Sequence, residues 1–113
     1  MNVLGTRKEL IADTAISGDG DTLSNLFALP RSAEGAYLEF NVSSRTDGSY
    51  VLTLQHSPDG TNWYDVQAMG AVTADGQTLL KITETDIFYK TRLKVTASAV
   101  TTGATVNAVI HYS

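Results

Sequence analysis

Hydrophobic and polar positions alternate with a period of two along most of the chain. In AYLEFNVS, Leu38, Phe40 and Val42 fall on one side, and Tyr37, Glu39 and Asn41 on the other. In SYVLTLQH, Tyr50, Leu52 and Leu54 share a side. In YKTRLKVTA, Tyr89, Thr91, Leu93 and Val95 oppose Lys90, Arg92 and Lys94, and in TVNAVIHY, Val106, Ala108, Ile110 and Tyr112 oppose Asn107, Val109 and His111. Successive side chains of an extended strand point to opposite faces, so this alternation, rich in β-branched and aromatic residues, predicts strands with one face in a core. Shorter strands are predicted over residues 9–16, 22–28, 63–68 and 77–82. No amphipathic helix of useful length is present, and TETDIF has room for one helical turn.

Turn-forming clusters separate these runs: SGDGD, LPRSAEG, RTDGS, SPDGTN, TADGQ and VTTGA. Asp-Gly recurs at 19–20, 47–48, 59–60 and 75–76, a pair that suits the positive φ of tight hairpin turns. Gly48, Gly60 and Gly76 are therefore expected at positive φ. The spacing of strands and turns predicts an all-β chain, a single antiparallel β-sandwich, Ig-like or jelly-roll-like, of about seven or eight strands. Residues 1–8 lack strong periodicity and are expected to form an N-terminal arm that orders against a partner, ahead of a sandwich over 9–113.

The 113 residues suit one domain with one core. The absence of cysteine excludes a disulfide framework and thiolate metal sites. No apolar run approaches the ~20 residues of a membrane span, and the N-terminus has no apolar signal region. Twelve acidic and eight basic residues give a net charge of -4, so the domain as a whole does not attract nucleic acid. Neither a nucleic-acid nor a membrane partner is expected.

HSPDGTNWYDV, from His56 to Val66, concentrates the chemistry-bearing residues. Read as a hairpin, Pro58, Asp59 and Gly60 make the turn, and Trp63 opens the next strand and is expected to close one end of the core. A propeller-type Asp-box would need one more residue between Asp59 and Trp63 and a repeat elsewhere. A Ser57 nucleophile with His56 and Asp59 would need sequence neighbours to converge, without a Gly-x-Ser-x-Gly elbow. A sugar platform could use only one of Trp63 and Tyr64 on a given face. Asp19 and Asp21 have a D-x-D spacing, but the closing Glu of a calcium loop is missing. His56 and His111 have no acidic partner placed by sequence. No phosphate loop or dinucleotide fingerprint is present. The expectation is a chain with no catalytic, cofactor or metal residues, and not an enzyme.

The main electrostatic feature is the stripe Lys90, Arg92 and Lys94 on one strand face, suited to an acidic protein surface. Arg7 and Lys8 in the arm are a second group of contact candidates. Val109, Val51 and Leu79 oppose the core face of their strands, which suggests that a neighbouring subunit covers one sheet.

YVLTLQHSPDGTNWYDV, FYKTRLKVTAS and the closing ATVNAVIHYS resemble small β-sandwich structural proteins of tailed bacteriophages, over roughly residues 36–113. The resemblance implies a non-enzymatic virion role, most simply a head decoration (cement) protein. Such a protein would sit on the capsid surface, bind the major capsid protein of its own virion and form a homo-oligomer, with a trimer favoured. The alternatives are a carbohydrate-binding or host-recognition module and a tail or neck structural protein.

Overall fold

The computed structural model describes residues 3–29, 35–84 and 86–113. Among these residues eight strands form: β1 (Thr6–Ile16), β2 (Gly20–Leu23), β3 (Tyr37–Ser43), β4 (Ser49–Ser57), β5 (Tyr64–Ala68), β6 (Gly76–Lys81), β7 (Lys90–Ser98) and β8 (Ala104–Tyr112). They make two four-stranded antiparallel sheets, β1-β8-β3-β6 and β2-β7-β4-β5. Nested pairing of β1 with β8, β2 with β7, β3 with β6 and β4 with β5 is that of a long antiparallel hairpin rolled into two layers. Only the β4–β5 turn stays within one sheet, and every other connection crosses between sheets. This is the jelly-roll form of the sandwich.

The core is the set of positions marked by the alternation. Leu38, Phe40, Leu52, Leu54, Tyr50, Leu93, Val95, Val106, Ala108 and Ile110 are all fully buried. The Tyr50 hydroxyl, carried inward with its ring, donates to the Asp47 carbonyl oxygen at 2.8 Å, so burial leaves it bonded. Along the sandwich edge, the Gln67 amide joins β5 to the end of β6. Its Nε2 donates to the Lys81 carbonyl at 2.9 Å, and its Oε1 accepts from the Thr83 N–H at 3.0 Å.

The two ends of the sandwich differ. At the end that holds the β1–β2, β3–β4, β5–β6 and β7–β8 loops, three aspartates of Asp-Gly pairs tie the loops together. Asp47 accepts from the backbone N–H groups of Thr101, Thr102 and Gly103, the last at 2.8 Å. Asp19 accepts from Val100 N–H at 2.8 Å, and Asp75 from Arg45 N–H at 2.9 Å. Hydrogen bonds from Gly103, then Thr102 and Thr101, hold the Asp47 carboxyl below its ordinary value. At the opposite end, backbone bonds from Asn62 and Thr61 do the same for Asp59 in the β4–β5 turn.

Gly48, Gly60 and Gly76 have φ of 95°, 82° and 141°, as the Asp-Gly pattern predicts. The tightest requirement falls on Gly103, at φ 106°, where an added Cβ would lie 1.6 Å from the Ile16 carbonyl oxygen. At Gly48 it would lie 2.7 Å from the Tyr50 hydroxyl.

Several expectations need correction. β1 begins at Thr6 and pairs Thr6, Arg7 and Lys8 with Tyr112, His111 and Ile110. The boundary expected at residue 8 therefore falls inside a strand. Two register shifts in β1 break its alternation, which is why its first residues do not read as strand in the sequence. Met1, Asn2 and most of the LPRSAEG turn lie outside the described residues, as does Thr85; the described residues beside Thr85 form no helical turn. β7 starts at Lys90, which leaves Tyr89 78% exposed instead of in the core. Val109 is fully buried within the chain. On the outer face of its sheet it stands in register with Glu9 and Glu39, and hydrogen bonds link Glu9 to Asn107, Asn107 to Asn41 and Asn41 to Glu39 beside it.

Two predictions follow from the loop end. Gly103→Ala should lower unfolding free energy by at least about 3 kcal/mol, since the backbone of β1 must move. Gly76→Ala, with nothing within 4 Å of its Cβ position, should cost only the ~1–2 kcal/mol of an unfavourable φ. Urea midpoints of the two variants measure the difference, and equal losses would contradict the assignment. Separately, the depressed Asp47 and Asp59 carboxyls stabilise the fold while ionised. Their contribution is complete above about pH 4 and is lost as pH falls through their lowered values. The melting temperature should drop on that acid side, and Asp47→Asn should flatten the drop while lowering the neutral-pH value.

Candidate binding face

The outer face of the β2-β7-β4-β5 sheet gathers most of the residues singled out in the sequence. Lys90, Arg92 and Lys94 alternate along β7 with the buried Thr91, Leu93 and Val95, so all three cations fall on this face. Arg92 is in register with Gln55 of β4, and Gln55 with Asp65 of β5. A chain of hydrogen bonds follows. Arg92 Nε donates to Gln55 Oε1 at 2.9 Å, and Gln55 Nε2 donates to Asp65 Oδ1 at 2.8 Å. The Arg92 guanidinium carbon lies 4.1 Å from the centroid of the Trp63 ring.

Trp63 is therefore not the core plug expected of it. It is partly exposed, lies outside the core cluster and stacks on a cation. The β4–β5 hairpin accounts for this. Asp65 sits on the outer face beside Gln55, and Trp63 is two residues before it on an extended chain, so it reaches the same face. A bulge near Leu54 and Gln55 then lets Val66 pack against the core.

The stacking and the Gln55 bond fix the guanidinium plane and leave both terminal nitrogens without a partner among the described residues. Within that set the ion pairs are Arg7–Glu39 and His111–Glu39, so no carboxylate neutralises Lys90, Arg92 or Lys94. A held guanidinium flanked by two ammonium groups suits a carboxylate, which it can grip with two parallel hydrogen bonds.

Aromatic residues border the stripe. Tyr64, Phe88 and Tyr89 are 56%, 48% and 78% exposed, and Leu26 is exposed as well. His56 packs on Phe88 with ring centroids 4.8 Å apart, and its Nδ1 accepts the Phe88 N–H at 3.1 Å. Exposed aromatic residues flank this face in the chain, and Arg, Trp and Tyr are the residue types enriched at protein-interface centres. The sequence held a signal for it in IFYK, where two aromatics precede a lysine, but the alternation assigned Tyr89 to the core.

The remaining candidates separate. Arg7 and Lys8 lie on β1, in the other sheet, so the structure does not bring them to the stripe. Arg7 is paired with Glu39 at 3.6 Å. The Ser57 hydroxyl is buried in the turn, donating to Asp59 and accepting from Gly60 N–H, while His56 is bonded to Phe88; the three do not form a triad. Asp19 and Asp21 bond Val100 N–H and the Thr96 hydroxyl, and His56 and His111 are in different sheets. Among the described residues no three His, Asp or Glu side chains are arranged to hold a metal ion.

No protein-family model and no curated protein sequence matches the chain. Solved structures do share its fold. The PBSX exported protein XepA aligns with a TM-score of 0.69 at 14% identity, over 100% of this chain and 38% of that one. The xylan-binding module CBM15 aligns at 0.54 and 16% identity, over 100% and 98%. The SPBc2 prophage-derived protein YomS aligns at 0.50 and 14% identity, over 98% of both chains. The described residues thus form an eight-stranded β-sandwich of a kind shared by phage-derived and carbohydrate-binding proteins.

The position of Trp63 generates a test. Trp63→Ala should cost about 1 kcal/mol, the order of an exposed cation–π contact, whereas Leu52→Ala in the core should cost ~2–5 kcal/mol. Denaturant unfolding of both variants decides. A loss at Trp63 equal to that at Leu52 would return it to the core.

Proposed function

We propose that the protein is a non-catalytic structural component of a phage virion that attaches through its Arg92 face to an acidic protein surface on the assembled particle. The favoured location is the head, where the protein would act as a decoration protein, bridging subunits of the major capsid protein and raising the stability of the shell by binding only its assembled form. The observation that carries this reading is the Arg92 guanidinium, held between Trp63 and Gln55 and flanked by Lys90 and Lys94, which make no ion pair among the described residues. Such a patch is a locally cationic surface on a chain of net charge -4. It steers an acidic partner to one face and disfavours attachment elsewhere. The likeness to a prophage-derived protein over nearly the whole of both chains supports the virion setting. A trimer at a three-fold position of the shell would multiply each weak contact.

A second reading, a saccharide-recognition module, is favoured by the likeness to the xylan-binding module over both whole chains and by the exposed Tyr64 and Tyr89. The attachment reading predicts that the protein co-sediments with mature shells and not with isolated capsid subunits. Arg92→Glu should weaken that binding by about tenfold or more, as expected when one partner of a desolvated charge pair is reversed. Raising salt should weaken the wild type, since exposed charges are screened within ~8 Å at physiological salt. Binding unchanged in Arg92→Glu would remove the stripe from the contact, and retention on a glycan column without any shell binding would favour the second reading.

A further inference from the structure

Gln55 lies on the outer face of its sheet, yet it is only 5% exposed. Strand register places it between two charged residues, Arg92 of β7 and Asp65 of β5. Both ends of its amide are used. Oε1 accepts from Arg92 Nε at 2.9 Å, and Nε2 donates to Asp65 Oδ1 at 2.8 Å. A side-chain amide has an acceptor on one side and donors on the other, so only one of its two orientations satisfies both neighbours. The reversed orientation would set donor against donor at Arg92 and acceptor against acceptor at Asp65. Water has little access to a side chain so buried, and a buried polar group left without a partner bears its full desolvation cost.

We propose that Asp65 is a positioning residue for the Arg92 fork, acting through Gln55. A carboxylate at neutral pH only accepts, so it sets which way the Gln55 amide faces. Gln55 then holds Nε, while Trp63 holds the guanidinium plane. With Nε occupied, Arg92 offers a partner its two terminal nitrogens, the end-on geometry that takes one carboxylate with two parallel bonds. This deepens the attachment reading and rests on it for the partner. The effect is opposite in sign to that of simple charge. Asp65 is an acid on a face that meets an acidic surface, so by Coulomb attraction alone its removal would tighten attachment. Asp65 and Arg92 stand two strand spacings apart, roughly 10 Å, beyond the screening length of ~8 Å at physiological salt, so that gain is small. Loss of a charge-assisted bond in the relay is larger. Asp21 supplies the contrast. It is an acid on the same outer face, in register with Thr96 and bonded to the Thr96 hydroxyl at 3.0 Å, outside the relay.

The test reads Arg92 directly, by NMR of the full isotope-labelled chain. The Arg92 Nε–H resonance, identified by its loss in Arg92→Lys, should exchange with solvent roughly fivefold faster in Asp65→Asn, the factor that one net hydrogen bond represents. It should keep the wild-type rate in Asp21→Asn. Asparagine is close in shape and can donate or accept, so it removes the orientation preference without emptying the position. In a Gln55→Leu background Asp65→Asn should have no further effect, because the relay is already broken. A role in folding stability alone would not single out this resonance. Attachment to assembled shells should weaken by about threefold to fivefold in Asp65→Asn, through lost preorganisation, and hold or tighten in Asp21→Asn. An unchanged Arg92 Nε–H rate in Asp65→Asn, an equal effect with and without Gln55, or tighter attachment in Asp65→Asn would each overturn the proposal. Should Arg92→Glu attach to shells as well as the wild type, the attachment reading fails by itself, and the Nε–H rates still decide the role of Asp65.

Discussion

The Asp47 carboxylate is the constraint on which the loop end of the molecule depends. It accepts three consecutive backbone N–H groups from Thr101 to Gly103, so the β3–β4 loop holds the β7–β8 turn in place. The Thr46 N–H donates to the Gly103 carbonyl, which closes the same junction through the backbone. In a rolled hairpin nearly every connection crosses from one sheet to the other. Fixing two crossings against each other therefore fixes the register of both layers. Asp19 and Asp75 repeat the device on the adjoining loops. Backbone amides that would otherwise lack partners in tight turns are satisfied by charge-assisted bonds, which are stronger than neutral ones.

With one end bound in this way, the opposite end and the outer sheet faces are free to carry recognition. Tyr64, just after the β4–β5 turn, and Phe88 and Tyr89, at the end of the β6–β7 crossing, are exposed there. The two outer faces differ in kind. On one, Lys90, Arg92 and Lys94 make no ion pair among the described residues and a guanidinium is aligned by Trp63 and Gln55. On the other, hydrogen bonds link Glu9, Asn107, Asn41, Glu39 and His111 in a network beside Val109, with Arg7 3.6 Å from Glu39. The two faces thus differ in how their charges are held, networked on one and without ion pairs among the described residues on the other.

The architecture was legible where burial follows strand period. Leu38, Phe40, Leu52, Leu93 and Ile110 declare themselves by alternation, and the Asp-Gly pairs mark the turns because both residues are used there, glycine for its φ and aspartate for its carboxylate. Legibility failed where the period breaks or where a side chain is decided by its neighbours. β1 has two register shifts, so Thr6, Arg7 and Lys8 read as an arm. Val109 reads as outward and exposed, but long polar side chains from β1 and β3 close over it. Trp63 reads as a core residue because its large apolar area is visible in the sequence, while the Arg92 plane that receives it comes from a strand almost thirty positions on.

The central claim is that the β2-β7-β4-β5 sheet faces the particle. A cryo-EM reconstruction of virions carrying the protein, at a resolution that distinguishes the two sheets, tests it most directly. The account predicts density on the head with Lys90, Arg92 and Lys94 turned toward acidic residues of the shell and the β1-β8-β3-β6 sheet turned to solvent. Density on the tail alone, or on the head with the β1-β8-β3-β6 sheet against the shell, would contradict it.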